Sequence, residues 1–164
     1  MPVISIQDAT HCDINDIQAI YQHYIDHSNL TLETKVPTTQ ELEEKVTRYQ
    51  NSHAFLIILF DQEIIGFAYA YPFSARKTYQ HSANIAMYLL AEHDELTLKN
   101  LIYQELENRL QAKGILNLLA CLPSHQKEQI NFLVKQGFII RGDFPQSGQK
   151  LDQVWDLVWL SKEI

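Results

Sequence analysis

Ala83-Asn84-Ile85-Ala86-Met87-Tyr88-Leu89-Leu90, followed directly by Ala91-Glu92-His93-Asp94-Glu95-Leu96-Thr97-Leu98-Lys99-Asn100, is the stretch that decides how this chain folds. The first eight residues are apolar except for Asn84, which reads as a buried strand. From about His93 to Lys113, Leu98, Leu101, Ile102, Leu106 and Leu110 mark one helix face, and Gly114 is placed to stop it. Ile115 to Leu122 is then a second strand, closed by the polar turn that Pro123 begins. A strand, a helix and a strand in this order make a crossover unit, and the helix N-terminus beside the first strand offers unpaired N–H groups to an anion.

Working upstream, Ala54 to Phe60, the polar trio Asp61, Gln62 and Glu63, and Ile64 to Tyr71 have the pattern of a β-hairpin that Pro72 ends. Thr38 and Glu41 have capping-box spacing ahead of Leu42, Val46 and Tyr49, so a helix begins there after a loop at Asn29 to Pro37. Val3 to Asp8 alternates as a strand, and Ile14, Ile17, Tyr21, Tyr24 and Ile25 recur at helical spacing. Downstream, Ile130, Leu133 and Val134 define a helix closed by Gly137. Strands at Phe138 to Phe144 and Val154 to Leu160 follow, separated by a loop rich in Pro, Ser, Gly and Asp. Trp155 and Trp159, four apart, share a strand face that reads as core or as a dimer surface. Early hairpins and later crossovers predict an α/β fold, a mixed central sheet of about seven strands with helices on both faces. No repeat or linker divides the chain, so residues 1–164 are expected to form one domain.

Composition narrows the function classes. The 164 residues are 46% hydrophobic, enough for one buried core. Thirteen Lys and Arg stand against 20 Asp and Glu, a formal charge of -7, and the basic residues are scattered. Nucleic acid and anionic membrane are therefore not expected partners, and the balance mildly favours an amine substrate. The longest apolar runs, Ala54 to Phe60 and Ile85 to Ala91, have seven residues each, against the roughly 20 that cross a bilayer. Cys12 and Cys121 lack metal-site spacing, and the first residues show neither a basic n-region nor an apolar h-region, so a cytoplasmic location is expected. His23 and His27 are spaced i, i+4 like a zinc pair, but no Glu follows His23 and no third ligand is evident. No metal is expected, and no Ser, His and Asp spacing suggests a nucleophile elbow.

Several local strings carry a resemblance: Gln22-His23-Tyr24-Ile25-Asp26, then Gly66-Phe67-Ala68-Tyr69-Ala70 with Pro72 and Ala75-Arg76, then Tyr79, Tyr88 and Gly137-Phe138. With the element order, they make the chain similar to the GNAT superfamily, and within it to the phosphinothricin-type acetyltransferases, over nearly its whole length. The resemblance implies acetyl transfer from acetyl-CoA to a primary amine by direct attack on the thioester, and a homodimer. Such chemistry needs a grip on the cofactor diphosphate, a base for the ammonium proton and support for the departing thiolate.

The resemblance places cofactor contacts at the strand end, Leu89 and Leu90, at the helix start, Thr97, Lys99 and Asn100, and after the next strand at Gln126. It places the amine pocket at Tyr24, Thr31 and the Phe73 to Tyr79 segment, with Arg76 as an anchor for an acceptor carboxylate. Tyr24 also reads as packing, and Arg76 as half of a loop salt bridge. The catalytic position falls on Asn84, where the family pattern has a Glu. Asn84 cannot accept a proton at neutral pH, and it reads either as a pocket residue or as a satisfied structural amide.

Other positions depart as well. Glu95, Thr97 and Lys99 stand where the family has an Arg or Gln and two small residues. Asp94 and Glu95 are expected to supply the helix start with negative charge, so the segment reads either as a self-capped surface helix start or as a modified cofactor loop in which Lys99 is the compensating cation for a diphosphate. Gln126, Gln129 and Leu133 replace the Asn, Ser and proton-donating Tyr or His of the pattern, and Leu133 cannot donate a proton. Two function classes remain: an acetyl-CoA-dependent N-acetyltransferase for a small amine with a diverged site, or a catalytically inactive ligand-binding or homodimeric interaction module of the same fold.

Overall fold

The hairpin signal of the sequence is realised as the first part of a seven-stranded sheet. The computed structural model describes residues 1–164. Strand β1 is Ile4–Asp8, and helices α1, Ile14–His27, and α2, Thr39–Ser52, lead into the hairpin of β2, Ala54–Phe60, and β3, Glu63–Pro72. Then follow β4, Ser82–Leu89, helix α3, Leu96–Ala112, β5, Asn117–Pro123, and helix α4, Lys127–Lys135. The chain ends with β6, Ile139–Lys150, and β7, Gln153–Glu163. The strand order is β1-β2-β3-β4-β5-β7-β6. Only β4 and β5 run parallel, because α3 carries the chain between them.

Local chemistry sets the element ends. The Glu41 amide donates to Thr38 Oγ1 at 3.1 Å and the Thr38 amide to Glu41 Oε2 at 2.9 Å, the expected capping box. Gly114 (φ 81°) and Gly137 (φ 103°) end their helices in the left-handed conformation. Helices α1 and α2 bring Ile17, Tyr21, Leu42 and Val46 onto Phe55, Phe67 and Tyr69 on one sheet face. On the other face, Ile102, Leu106 and Leu133 of α3 and α4 pack with Leu56, Ala68 and Leu118.

Two sequence expectations need correction. Leu101 and Val134 are exposed, and Tyr103 and Phe132, two residues away in each helix, face inward instead; a two-residue step turns a helix by about 200°, so apolar residues spread around the helix left the inward face open to misreading. The expected loop between the last two strands is instead a ribbon, extended to Lys150 and turning only at Leu151 and Asp152 (φ 52° and 59°). A bulge between Phe144 and Gly148 absorbs Pro145 and Ser147, whose chemistry had suggested a loop. Gly148 is required because any side chain there would drive into the Trp155 indole.

The feature that positions a site is a parting of two strands. β4 and β5 pair only from Ser82 to Asn84 against Asn117 to Leu119. Beyond that point they diverge, while β4 remains paired with β3 as far as Leu89.

Candidate active site

A cavity of about 180 Å³ runs through the gap that the parting strands leave. Its floor is Asn84, the last β4 residue paired with β5. On the α3 and α4 side it is walled by Tyr103, Leu106, Phe132 and Leu133, and on the α1 side by Tyr21, Tyr69, Tyr71 and Tyr88. Asn84 is buried, and its Oδ1 has no hydrogen-bond partner. The satisfied structural amide is therefore not what the fold builds. Asn29 Oδ1, His53 Nε2 and Trp155 Nε1 are also buried without a partner, and Asn84 differs from them in that it lines the cavity.

The backbone of β4 is exposed to the same gap. The Leu90 amide donates to Ile65 O, and the Phe73 amide to Ser82 O, so even-numbered residues of β4 turn their polar groups toward β3. Ile85, Met87 and Leu89 consequently turn theirs toward β5, which has moved away. Leu89 O is already taken by the Tyr24 hydroxyl, and Leu90 O by the His93 amide. The Asn84–Leu119 pairing keeps the Ile85 amide in the short ladder, so the free cleft-facing groups are Ile85 O, those of Met87 and the amide of Leu89. Burial first, and then the nearby Asp94 charge, raise the Tyr24 pKa, keeping the phenol a donor to Leu89 O.

A second recess, of about 190 Å³, adjoins the first on the α3 side and includes Met87, Asp94, Lys99, Gln126 and Gln129. Lys99, only 9% exposed, places Nζ 2.6 Å from Asp94 Oδ1 and 5.9 Å from the Phe132 ring centre. The expected self-capping of α3 is not made. Glu95 occupies the N-cap position without a side-chain cap bond, and no acidic residue lies in the first turn. No acceptor in the chain receives the amides of Leu96, Thr97 and Leu98. Thr97 is exposed, and Asn100 lies on the outer side, where its Oδ1 accepts from Gln136 Nε2 at 2.6 Å. Gln126 is the N-cap residue of α4 and faces the recess.

On the α1 side of the cavity, Thr31 is buried beside Tyr21 and Tyr88. Tyr71 is the cross-strand neighbour of Asn84, and burial pushes its phenol up to about 12. Burial also raises Tyr21, Tyr69 and Tyr88, and lifts the Cys121 thiol to about 11. The wall is therefore neutral at physiological pH. Phe73, Arg76 and Tyr79 are not brought to this cavity. They are exposed on the segment after β3, with Phe73 edge-on to Tyr79 at 5.7 Å and to Trp159 at 6.2 Å. Arg76 has no ion-pair partner, so the loop salt bridge is absent too.

The sequence reading missed Glu33, which lines the cavity mouth from the loop between α1 and α2. It also missed the hold on that loop. Lys150 at the tip of the β6–β7 ribbon is buried, and its Nζ donates to Ser28 O at 2.8 Å and Thr31 O at 3.0 Å. Asn29 Nδ2 adds a bond to Gln153 Oε1 at 2.6 Å. The only advance signal was the alternation of Tyr69 and Tyr71 on the strand opposite Asn84.

A mixed sheet whose two central parallel strands part over a through-sheet cavity, with free amides at the adjoining helix start, defines the class of GNAT-fold acyltransferases. Residues 6–159 match the family model for the acetyltransferase (GNAT) domain, and the chain belongs to that family. It is 26% identical over 147 residues to a phosphinothricin N-acetyltransferase of Streptomyces viridochromogenes, covering 90% of this chain and 80% of that protein. Among solved structures it is similar to a GNAT superfamily phosphinothricin acetyltransferase from Sinorhizobium meliloti in complex with acetyl-CoA, with a TM-score of 0.93 at 21% identity, covering 98% of this chain and 88% of that one. A ribosomal-protein-alanine N-acetyltransferase from Brucella melitensis fits almost as well, with a TM-score of 0.91 at 20% identity over 98% and 99% of the two chains. Two such different acceptors on one scaffold mean that the fold by itself does not choose the substrate.

Proposed function

We propose that this chain transfers the acetyl group of acetyl-CoA to the nitrogen of a small-molecule amine where β4 and β5 part. The observation that carries the reading is the through-sheet cavity, which joins a recess beside free α3 amides to a chamber on the opposite sheet face. The residues present fit the cofactor. Amides of Leu96, Thr97 and Leu98 would receive diphosphate oxygens, and Ile85 O and the cleft-facing groups of Met87 would bond the amide arm. Gln126 and Gln129 border the same recess.

Acetyl-CoA would supply an activated acetyl: a C–N bond forms as the C–S bond breaks, and a proton leaving nitrogen balances the one taken up by sulfur. The chain's part is largely placement. Asn84 Oδ1, lacking any internal partner, would receive an N–H of the amine and aim its lone pair along the gap. The phenols of Tyr69, Tyr71 and Tyr88 and the wall at Leu106 and Leu133 would keep bulk water out. Because Asn84 takes no proton, the amine would enter the step already neutral, so the rate is expected to rise with pH until the amine's own pKa is passed.

Titration calorimetry with acetyl-CoA, paired with thiol release across an amine panel that includes phosphinothricin, tests the proposal. Micromolar binding and thiol released only when amine is present are expected; no heat at high cofactor concentration would refute it. Exposed Ile139, Ile140 and Phe144 on the edge strand β6 support a homodimer, which sedimentation would detect. No helix is long and apolar enough to cross a membrane, and both cysteines are unpaired, which suits a reducing, cytoplasmic setting.

A further inference from the structure

The chamber that would take the acceptor carries one formal charge, and it is negative. Among the residues lining the cavity, Glu33 is the sole acid, and there is no Lys, Arg or His. The cations near the chamber stand behind its rings and do not line it: Lys162 pairs with Glu107 beside Tyr103, and Lys99 pairs with Asp94 beside Phe132. Lys45 Nζ sits 5.8 Å from the ring centres of both Tyr21 and Tyr69, with Glu33 and Arg48 acting on it. Lys150 Nζ is bonded to Ser28 O and Thr31 O. Arg76, the anchor an acceptor carboxylate would need, is exposed outside the cavity.

Around this charge the surface is aromatic. Tyr69 and Tyr71 have ring centres 5.7 Å apart, and Tyr21 and Tyr88 are 5.6 Å apart. Aromatic faces attract an ammonium through their quadrupoles and stack well on another ring. A carboxylate carried next to the amine would be buried among groups that can donate a hydrogen bond but cannot neutralise it, with Glu33 repelling it at the mouth.

We propose that the acceptor is a small primary amine with an uncharged aromatic or apolar tail, drawn in by Glu33 and seated against the tyrosines, and that α-amino acids are rejected. This rests on the acetyl-transfer reading and sharpens it, since nothing in that reading chooses between an amine and its carboxylated counterpart. It replaces the carboxylate anchoring that Arg76 suggested in the sequence. Amine nitrogen at Asn84 and tail among Tyr21, Tyr69, Tyr71 and Tyr88 is the orientation that buries no charge of the acceptor without a partner.

The test uses two compounds that differ only by the carboxylate, phenethylamine and phenylalanine. Thiol release with acetyl-CoA should favour phenethylamine by about a hundredfold in kcat/KM, the scale on which a missing partner for a polar group discriminates. Thermal shifts of the protein with each amine alone should follow the same order. Glu33→Gln should raise KM for phenethylamine about tenfold while kcat holds, and narrow the preference. Equal or greater turnover of phenylalanine overturns the inference and leaves acetyl transfer standing. Thiol release with neither compound or any other amine overturns acetyl transfer instead. In that event the amine-alone shifts decide this inference: a larger shift with phenethylamine upholds it, and equal or absent shifts overturn it.

Discussion

The two halves of the candidate site are built differently. The acceptor half stands on the rigid sheet face, with tyrosines from β3 and β4 and a loop pinned by Lys150 and Gln153. Its one buried polar group at the floor, Asn84 Oδ1, is left without a partner. The cofactor half stands on a helix start and on strand backbone, and its two charged side chains, Asp94 and Lys99, are paired with each other. One half waits for a ligand's hydrogen bonds, whereas the other must exchange an internal ion pair for a ligand's charge. On the proposed reading, the difference teaches that the cofactor would be held by backbone groups at the α3 start and along β4 in place of the side chains of the family pattern.

The largest effect expected from breaking this contrast lies at the floor. Asn84→Glu would put a proton acceptor beside Tyr71, whose phenol is held up to about 12 and would remain a donor to the new carboxylate. Restoring a positioned base is expected to raise kcat/KM for the amine about 10²-fold at neutral pH. The climb of rate with pH should also flatten at lower pH than in the parent protein. Unchanged rates and profile in a variant whose thermal unfolding is normal would show that the amine does not reach position 84.

The sheet, both hairpin strands of β2 and β3, and the capping box of α2 were legible because period-2 runs, Pro72 and the Thr38 and Glu41 pair are local signals. Asn84 was visible for a similar reason, as the lone polar residue of an apolar run, but whether its amide was satisfied depended on where β5 leaves β4. The ribbon of β6 and β7 was hidden by Pro145, Ser147 and Gly148, which a bulge accommodates as readily as a loop does. Glu33 could not be read as a site residue, since it comes from an aperiodic loop and meets Tyr71 and Tyr88 only through tertiary packing. The self-capping expected of Asp94 failed because the buried Lys99 ammonium is a stronger partner than a helix dipole.

An intermediate effect is expected where the acceptor loop is fastened. Lys150→Met keeps the aliphatic stem but leaves Ser28 O and Thr31 O without their donor. Leaving such groups unsatisfied costs about 1–3 kcal/mol. Chemical denaturation should show that loss, together with a higher KM for the amine and little change in acetyl-CoA affinity, because the fastening lies on the acceptor side alone. An equal loss of cofactor affinity would mean that the two halves do not behave as separate units.

The smallest effect sharpens the other half. In a diphosphate site Lys99 is the natural cation, yet Asp94 lies 2.6 Å from its Nζ and would face an incoming diphosphate with like charge. Asp94→Asn keeps the size and hydrogen-bonding shape of the side chain while freeing the ammonium. Acetyl-CoA is then expected to bind about tenfold more tightly, equivalent to roughly 1.4 kcal/mol, with a steeper loss of affinity as salt is raised. Lys99→Met should weaken binding by a similar factor and remove most of that salt dependence. Should Asp94→Asn weaken binding instead, Asp94 is holding Lys99 in the orientation that receives the diphosphate, and the pair is a positioning device and not a competitor for the ligand's place.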